Sequence, residues 1–337
     1  MFKTIKPKTV MMSQSTLVKA ETESFEQFPV LLQPNVENVN LIEWAKNNHE
    51  LIETMLLKQG AVLFRGFKID SMHGFEQFVR SFPVQLINYG ERSSPRTKLS
   101  SGLYTSTDHP ADQYILLHNE QSYTLNWPMK IWFFCLMPAQ QGGGTPIADS
   151  RKILRNLDSN TVKQFAEKQI MYVRNYGDGL GLPWQEVFQT NDKSIVEQHC
   201  RNAGIEFDWK NNNRLRTRQI RPAIRNHPKT GELVWFNHAF FFHISSLHDQ
   251  ARESMLEVLS EDEFPFNTFY GDGSPIENSV IDEIRQVYKQ ETVVSPWQEH
   301  DILMLDNMLV AHGREPYTGP RKIVVAMAEA FSEIGNA

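Results

Sequence analysis

Cysteine, net positive charge and long apolar runs are all scarce in this chain, and each scarcity removes a class of protein. Only two cysteines, Cys135 and Cys200, occur in 337 residues. That count excludes the multi-bridge disulfide framework of small secreted domains and fits a reducing cytoplasm, the expected location. Lys and Arg number 34 against 40 Asp and Glu, for a net charge of −6. A nucleic-acid binder needs cations in excess to displace phosphate counterions, so neither DNA nor RNA is an expected partner. No apolar run reaches the roughly 18 residues of a membrane span. The basic opening, residues 1–8, has no continuous apolar stretch behind it, so a secretory signal is not expected.

The chain does have 40% hydrophobic residues with 11% aromatics, enough for a large core. Residues 1–25 are polar and aperiodic, which predicts a loosely docked arm. Residues 26–337 are expected to form one domain with a helical insertion at about 150–300. Between 40 and 58, Leu41, Trp44, Ala45, Leu51, Ile52, Met55 and Leu56 recur at helical spacing, and Gly60 stands where a helix ends. The run 61–67 then fits a buried strand, followed by a short helix with Phe75, Phe78, Val79 and Phe82 on one stripe. A further helix is expected from an N-cap at Ser150 to about Gln169, with Leu154 and Leu157 facing inward. Strands are expected at 131–137, 301–307 and 323–327. Short strands early and late, around a helical middle, predict an antiparallel double-sheet barrel closed by segments distant in sequence.

The chemistry-bearing signal is His118-Asn119-Glu120, followed 194 positions later by His312 and then by Arg321 at the head of an apolar run. A redox-active Fe(II) that must also bind an oxidant and an organic cosubstrate takes two imidazoles and one carboxylate on one face, leaving three positions open. If 113–117 is a strand running into His118, side chains at i and i+2 point the same way, so His118 and Glu120 can share a metal. A His-x-acid triplet alone is weak, since this composition yields roughly one by chance. Its weight comes from the apolar strand, the Gly142-Gly143-Gly144-Thr145 segment, and the distal histidine and arginine that follow in order.

Five segments resemble the taurine dioxygenase (TauD/TfdA) superfamily of Fe(II)/2-oxoglutarate oxygenases, and within it the clavaminate-synthase-like and SyrP-like branch. They are residues 60–67, 118–123, 142–146 and 230–237, and the stretch from Asp306-Asn307 through His312-Gly313-Arg314 to Gly319-Pro320-Arg321. The resemblance implies a mixed α/β fold. Its core would be a mainly antiparallel double-stranded β-helix (jelly-roll, clavaminate-synthase-like) with flanking and inserted helices. It also implies His118, Glu120 and His312 as iron ligands, Arg321 as the 2-oxoglutarate anchor and Thr145 as its helper, with O2 as second cosubstrate. Arg314 is the rival anchor. Glu120, where many members carry Asp, is similar to the amino-acid-hydroxylating members and speaks against halogenating ones. The implied reaction is hydroxylation of an unactivated C–H bond of an amino-acid-like substrate in specialised metabolism, with release of succinate and CO2.

Other clusters have bland readings beside functional ones. The segment 214–221, with Arg225, is a dense basic cluster in which Arg214, Arg216 and Arg218 alternate; as a solvated face they have no task, while on a strand the alternate arginines meet a substrate carboxylate or an acidic acyl or peptidyl carrier protein. Arg218, Asn237 and His243 are the candidate substrate residues. His238, His243 and His248 lie among Phe240, Phe241 and Phe242, surroundings that favour packing or substrate lining over a second metal. Three alternatives stay open: the same cofactors used for desaturation, cyclisation or small sulfonate or carboxylate catabolism; a non-catalytic binding module; and a zinc hydrolase, which leaves Arg321 and Thr145 without a task.

Overall fold

The computed structural model describes residues 17–20, 28–87, 98–100, 102–105, 109–177, 181–260 and 263–333. Most of the expected N-terminal arm lies outside these residues. Within it, however, Val18–Ala20 is a strand paired antiparallel with Val30–Pro34, and its Val18 is buried. Val18, with Leu17 and Ala20 packed beside it, docks that piece on the sheet edge, a signal too short for periodicity to reveal.

An open eight-stranded sheet forms the frame, in the order Val18–Ala20, Val30–Pro34, Ala61–Phe64, Ile302–Asp306, Asn126–Met137, Lys322–Ser332, Leu103–Thr105, Lys98–Ser100. A four-stranded sheet, Val293–Ser295, Thr145–Asp149, Val310–Arg314 and Ile115–His118, packs against its inner face. Between them lies a core to which the larger sheet gives Leu63, Ile131, Phe133, Leu303 and Val325 and the smaller gives Ile147 and Val310. Among the described residues all ladders are antiparallel except Val30–Pro34 with Ala61–Phe64. The result is mixed α/β with two facing sheets, and among the described residues the larger one stays open where closure of a barrel was expected.

The opposite face of the large sheet is covered by the N-terminal helices. The expected helix at 40–58 is two, Leu41–Asn47 and His49–Gln59. Asn48 breaks it, because its side chain donates to the Trp44 carbonyl at 2.7 Å and competes with the helical ladder. The helix Met72–Arg80 turns Phe75, Phe78 and Val79 inward as the stripe predicts, with Phe75 stacked on Phe134 and Phe78 edge-on to Phe64. Each such burial stabilises by about 1.5–3 kcal/mol.

Gly60 ends the second helix in the left-handed region, φ +82°. A Cβ there would meet Val310 Cγ2 at 2.5 Å and Leu309 Cβ at 3.1 Å, so the helix end also lies hard against the strand that carries His312. Gly60→Ala is therefore expected to cost about 2–4 kcal/mol from adverse φ plus overpacking. Urea unfolding of the variant checks this; a loss under 1 kcal/mol would show that the contact relaxes freely.

The segment from 150 to 300 is less helical than its sequence suggests. Asp149, not Ser150, caps the first helix, its carboxylate accepting the Arg151 N–H at 2.8 Å. That helix, Ser150–Asn156, stops before a second, Ser159–Lys168, which Asp158 caps in turn. Beyond it comes a second four-stranded sheet, Glu206–Lys210, Arg214–Arg221, Ile170–Tyr176 and Phe266–Tyr270. Among the described residues no helix is long and apolar enough to cross a membrane.

Candidate metal centre

Strand pairing, rather than sequence proximity, assembles the site. The edge strand Ile115–His118 runs antiparallel to Val310–Arg314, in a register that sets His118 directly opposite His312. Their rings lie 4.6 Å apart between centroids. Glu120 joins them, and one ligand atom from each of the three residues lies within 4.8 Å of the other two. The route to Glu120 differs from the expected strand alternation: the strand stops at His118 and Glu120 sits in the following turn.

Orientation of His118 follows from one bond. Its Nδ1 lies 2.8 Å from the Leu116 carbonyl, and a carbonyl only accepts, so Nδ1 carries the proton and Nε2 is the nitrogen left to ligate. Phe241 packs 4.8 Å from this ring and Phe133 5.0 Å from His312, walling the site with apolar surface. His238 completes the wall, 5.7 Å from His118, with Nδ1 2.6 Å from Ser122 Oγ. Burial, the largest cause, holds its pKa well below 6.5, so it borders the site as a neutral ring.

Thr145 lies two residues before Ile147, the partner of His312 across the ladder, and so shares its face of the sheet. Its hydroxyl accepts the Trp297 indole N–H at 3.1 Å and keeps its own proton for a further partner. Arg321 lies just before the long strand Lys322–Ser332, and its Nε donates to the Gly143 carbonyl at 2.9 Å. Burial, and then the neighbouring Arg314 cation, bring its pKa down to about 10, so it stays charged at neutral pH. Arg314 itself is committed to backbone: it donates to the carbonyls of His109, Pro110 and Gln113 at 2.9, 2.5 and 2.7 Å.

The family described as "Taurine catabolism dioxygenase TauD, TfdA family" matches residues 25–327. This chain belongs to the TauD/TfdA family of Fe(II)/2-oxoglutarate-dependent dioxygenases. It is 40% identical over 282 residues to the dapdiamide synthesis protein DdaC of Enterobacter agglomerans, covering 84% of this chain and 86% of that one. It is 26% identical over 320 residues to a clavaminate synthase-like protein of Arabidopsis thaliana, covering 90% and 94%. Among solved structures, PvcB from Pseudomonas aeruginosa superposes with a TM-score of 0.53 at 14% identity, covering 89% and 84%, a likeness of fold.

The residues present suit the iron of a TauD/TfdA enzyme. Two imidazoles and one carboxylate converge with Glu120 and His312 buried, and the cluster is close enough for one cation with bonds of about 2.1 Å after slight inward adjustment.

The three substrate candidates in this TauD/TfdA chain fall elsewhere. Asn237 is buried, with its amide donating to the Ala223 carbonyl and its oxygen accepting the Ala239 N–H, both at 2.9 Å, so it ties a loop. Arg218 pairs across the ladders with Val173 and Glu206, on the sheet face opposite Tyr172 and Arg174, the face that meets the metal-site aromatics. Alternation is legible in sequence, but which face turns inward is not. His243 lines a separate cavity of about 650 Å³ with Arg252 and Arg285.

Burial, then the cations of Arg285 and Arg252, lower the His243 pKa to about 4. Between that value and the unfolded value near 6.5 the unfolded chain binds more protons. The stabilisation from a neutral His243 is therefore complete above pH 6.5 and is lost as pH falls toward 4, at most about 3 kcal/mol. His243→Asn should accordingly lose less stability than the native chain between pH 7 and pH 4.5. Parallel urea curves with equal losses would count against it.

Proposed function

We propose that this dioxygenase hydroxylates an unactivated C–H bond of an amino acid or amino-acid-derived substrate, releasing succinate and CO2. His118, Glu120 and His312 hold the Fe(II), Arg321 binds the distal carboxylate of 2-oxoglutarate, and Thr145 assists it. The observation that carries this reading is the convergence of two imidazoles and one carboxylate from segments 194 positions apart. The facing sheets are then the double-stranded β-helix of the family.

When bound, iron with 2-oxoglutarate and O2 supplies the oxidising power for breaking a strong C–H bond. What the chain contributes is placement and exclusion. The Leu116 carbonyl holds His118 in the tautomer whose Nε2 ligates. A planar, permanently charged guanidinium meets a carboxylate through two parallel N–H bonds, a match that lysine lacks. With Arg314 committed to three carbonyls, Arg321 is the arginine that fits this role. Phe133, Phe241 and neutral His238 keep bulk water from the centre.

The likeness to a dapdiamide synthesis protein supports specialised metabolism of amino-acid-derived compounds over small sulfonate catabolism. A carrier-tethered substrate fits the reading, because Arg214, Arg216 and Arg218 with Lys210 outnumber Glu206 and Asp208 on the partly exposed face they share and leave it net cationic. The test is aerobic incubation of the Fe(II)-loaded protein with 2-oxoglutarate and a panel of amino acids, free and thioester-linked to carrier. Succinate formation coupled to a product heavier by one oxygen atom is expected for one member. Succinate released at the same rate with every member and with none would contradict the substrate class.

A further inference from the structure

Asn307 lies in the turn between the strand Ile302–Asp306 and the ligand-bearing strand Val310–Arg314, and it is completely buried. Its side chain grips the peptide units of Glu120. Asn307 Oδ1 accepts the Glu120 N–H at 2.7 Å, and Nδ2 donates to the Glu120 carbonyl at 2.9 Å and to the Pro128 carbonyl at 2.8 Å. The Asn307 backbone is held as well. Its N–H donates to the Met129 carbonyl at 2.9 Å, and its carbonyl accepts the Asn119 amide at 2.7 Å. Asn119 is thus tied to the same turn from the other side.

The turn that carries Asn307 is itself fixed. Asp306 Oδ1 accepts the N–H groups of Met308 and Leu309 at 2.9 and 3.0 Å. Its Oδ2 lies 3.0 Å from His227 Nε2, and His227 Nδ1 accepts the Thr230 N–H at 3.1 Å, so Nε2 carries the donated proton. Five residues after Asn307 comes His312. One rigid turn therefore addresses both halves of the site: Glu120 through a side-chain clamp and His312 through the strand it begins.

We infer that Asn307 is a positioning residue for the metal centre, setting the spacing of the Glu120 carboxylate from His312 by clamping the Glu120 backbone to the turn that leads into the histidine strand. The inference rests on the ligand roles proposed above. It explains how a carboxylate beyond the end of its strand is aimed without strand alternation. A purely structural asparagine would satisfy the same backbone groups, but it would leave metal affinity untouched once stability is accounted for.

The test uses the full chain, stripped of metal, and Mn(II) binding followed by the electron paramagnetic resonance of free Mn(II). Asn307→Ala removes all three side-chain bonds. Asn307→Asp keeps the volume and the acceptor while replacing both donations with repulsion, and it carries the test if the alanine variant does not fold. Val79→Ala, in the core on the far face of the large sheet, shows what destabilisation alone does. Loss of an outer-shell partner typically weakens metal binding about 10–100-fold. A drop of at least tenfold in a folded Asn307 variant, with Val79→Ala at native affinity, is the expected result. Affinity within twofold of native in a folded Asn307 variant would overturn the positioning role. Glu120→Ala separates the two levels: native affinity in that variant would sink the ligand assignment itself.

Discussion

His312→Ala is expected to abolish the weak visible absorption that appears when Fe(II) and 2-oxoglutarate are added anaerobically to the metal-free protein, and with it all 2-oxoglutarate turnover. The physical reason is the small number of ligands. With three protein side chains on one face of the metal, losing one removes a third of the protein's hold, and the geometry of the cluster offers no substitute. Partners that only orient a ligand are worth about 10–100-fold in affinity, so loss of the ligand itself should exceed that. Loss of activity should reach about a thousandfold or more. The fold should survive. His312 is flanked by Ala311 and Gly313 in a strand paired on both sides, with Thr145–Asp149 and Ile115–His118, and those backbone ladders do not depend on the imidazole. A circular dichroism melt of the metal-free variant within a few degrees of native, together with a vanished absorption band, is the predicted pair of results. A native band in a folded His312→Ala variant would remove the central support of the iron site, and the binding-module reading would move ahead.

Much of this arrangement is legible in the sequence because it is encoded locally. The apolar stripe Phe75, Phe78 and Val79, the glycine that ends a helix at position 60 and the strand at 61–64 all follow from side-chain type at short range. The identities of His118, Glu120, His312, Thr145 and Arg321 are legible as an ordered set, and strand pairing brings His118 and His312 together with Glu120 in the adjoining turn. What is not legible is decided by contacts between distant segments. The aim of Glu120 belongs to a turn clamped by Asn307, 187 positions away, and no i to i+2 rule contains that contact. The cap at Asp149 depends on which of two adjacent polar side chains wins a backbone bond, and the break at Asn48 lies inside a run whose apolar spacing continues across it. Arg218 illustrates a further limit. An alternating run specifies two faces, while only packing against Tyr123 and its neighbours decides that the face bearing Tyr172 and Arg174 is the inner one. The two candidate arginines are separated by the same kind of information, since the three carbonyls that occupy Arg314 come from a loop about 200 residues earlier.

That separation leads to the second large effect. Arg321→Gln is expected to raise the KM for 2-oxoglutarate by about 30-fold to 4,000-fold, because leaving one member of a buried charge pair without its partner costs roughly 2–5 kcal/mol. At saturating cosubstrate kcat should fall far less, since the residue binds a carboxylate remote from the reacting carbon. Arg321→Lys should recover part of the loss through charge without restoring the two-pronged geometry. Gly143→Ala tests the seat of the arginine. Gly143 has φ +71°, and a Cβ there would stand 3.0 Å from both Cδ and Nε of Arg321, so the guanidinium must shift and KM should rise, by less than in Arg321→Gln. Arg314→Gln should behave differently, lowering stability through three lost bonds to backbone while leaving the KM of the folded fraction near native. The discriminating measurement is the ratio of KM changes in the two arginine variants under identical iron and oxygen. A native KM in Arg321→Gln, or a larger rise in Arg314→Gln, would move the anchor to Arg314 and require the loop at 109–113 to release it when cosubstrate binds.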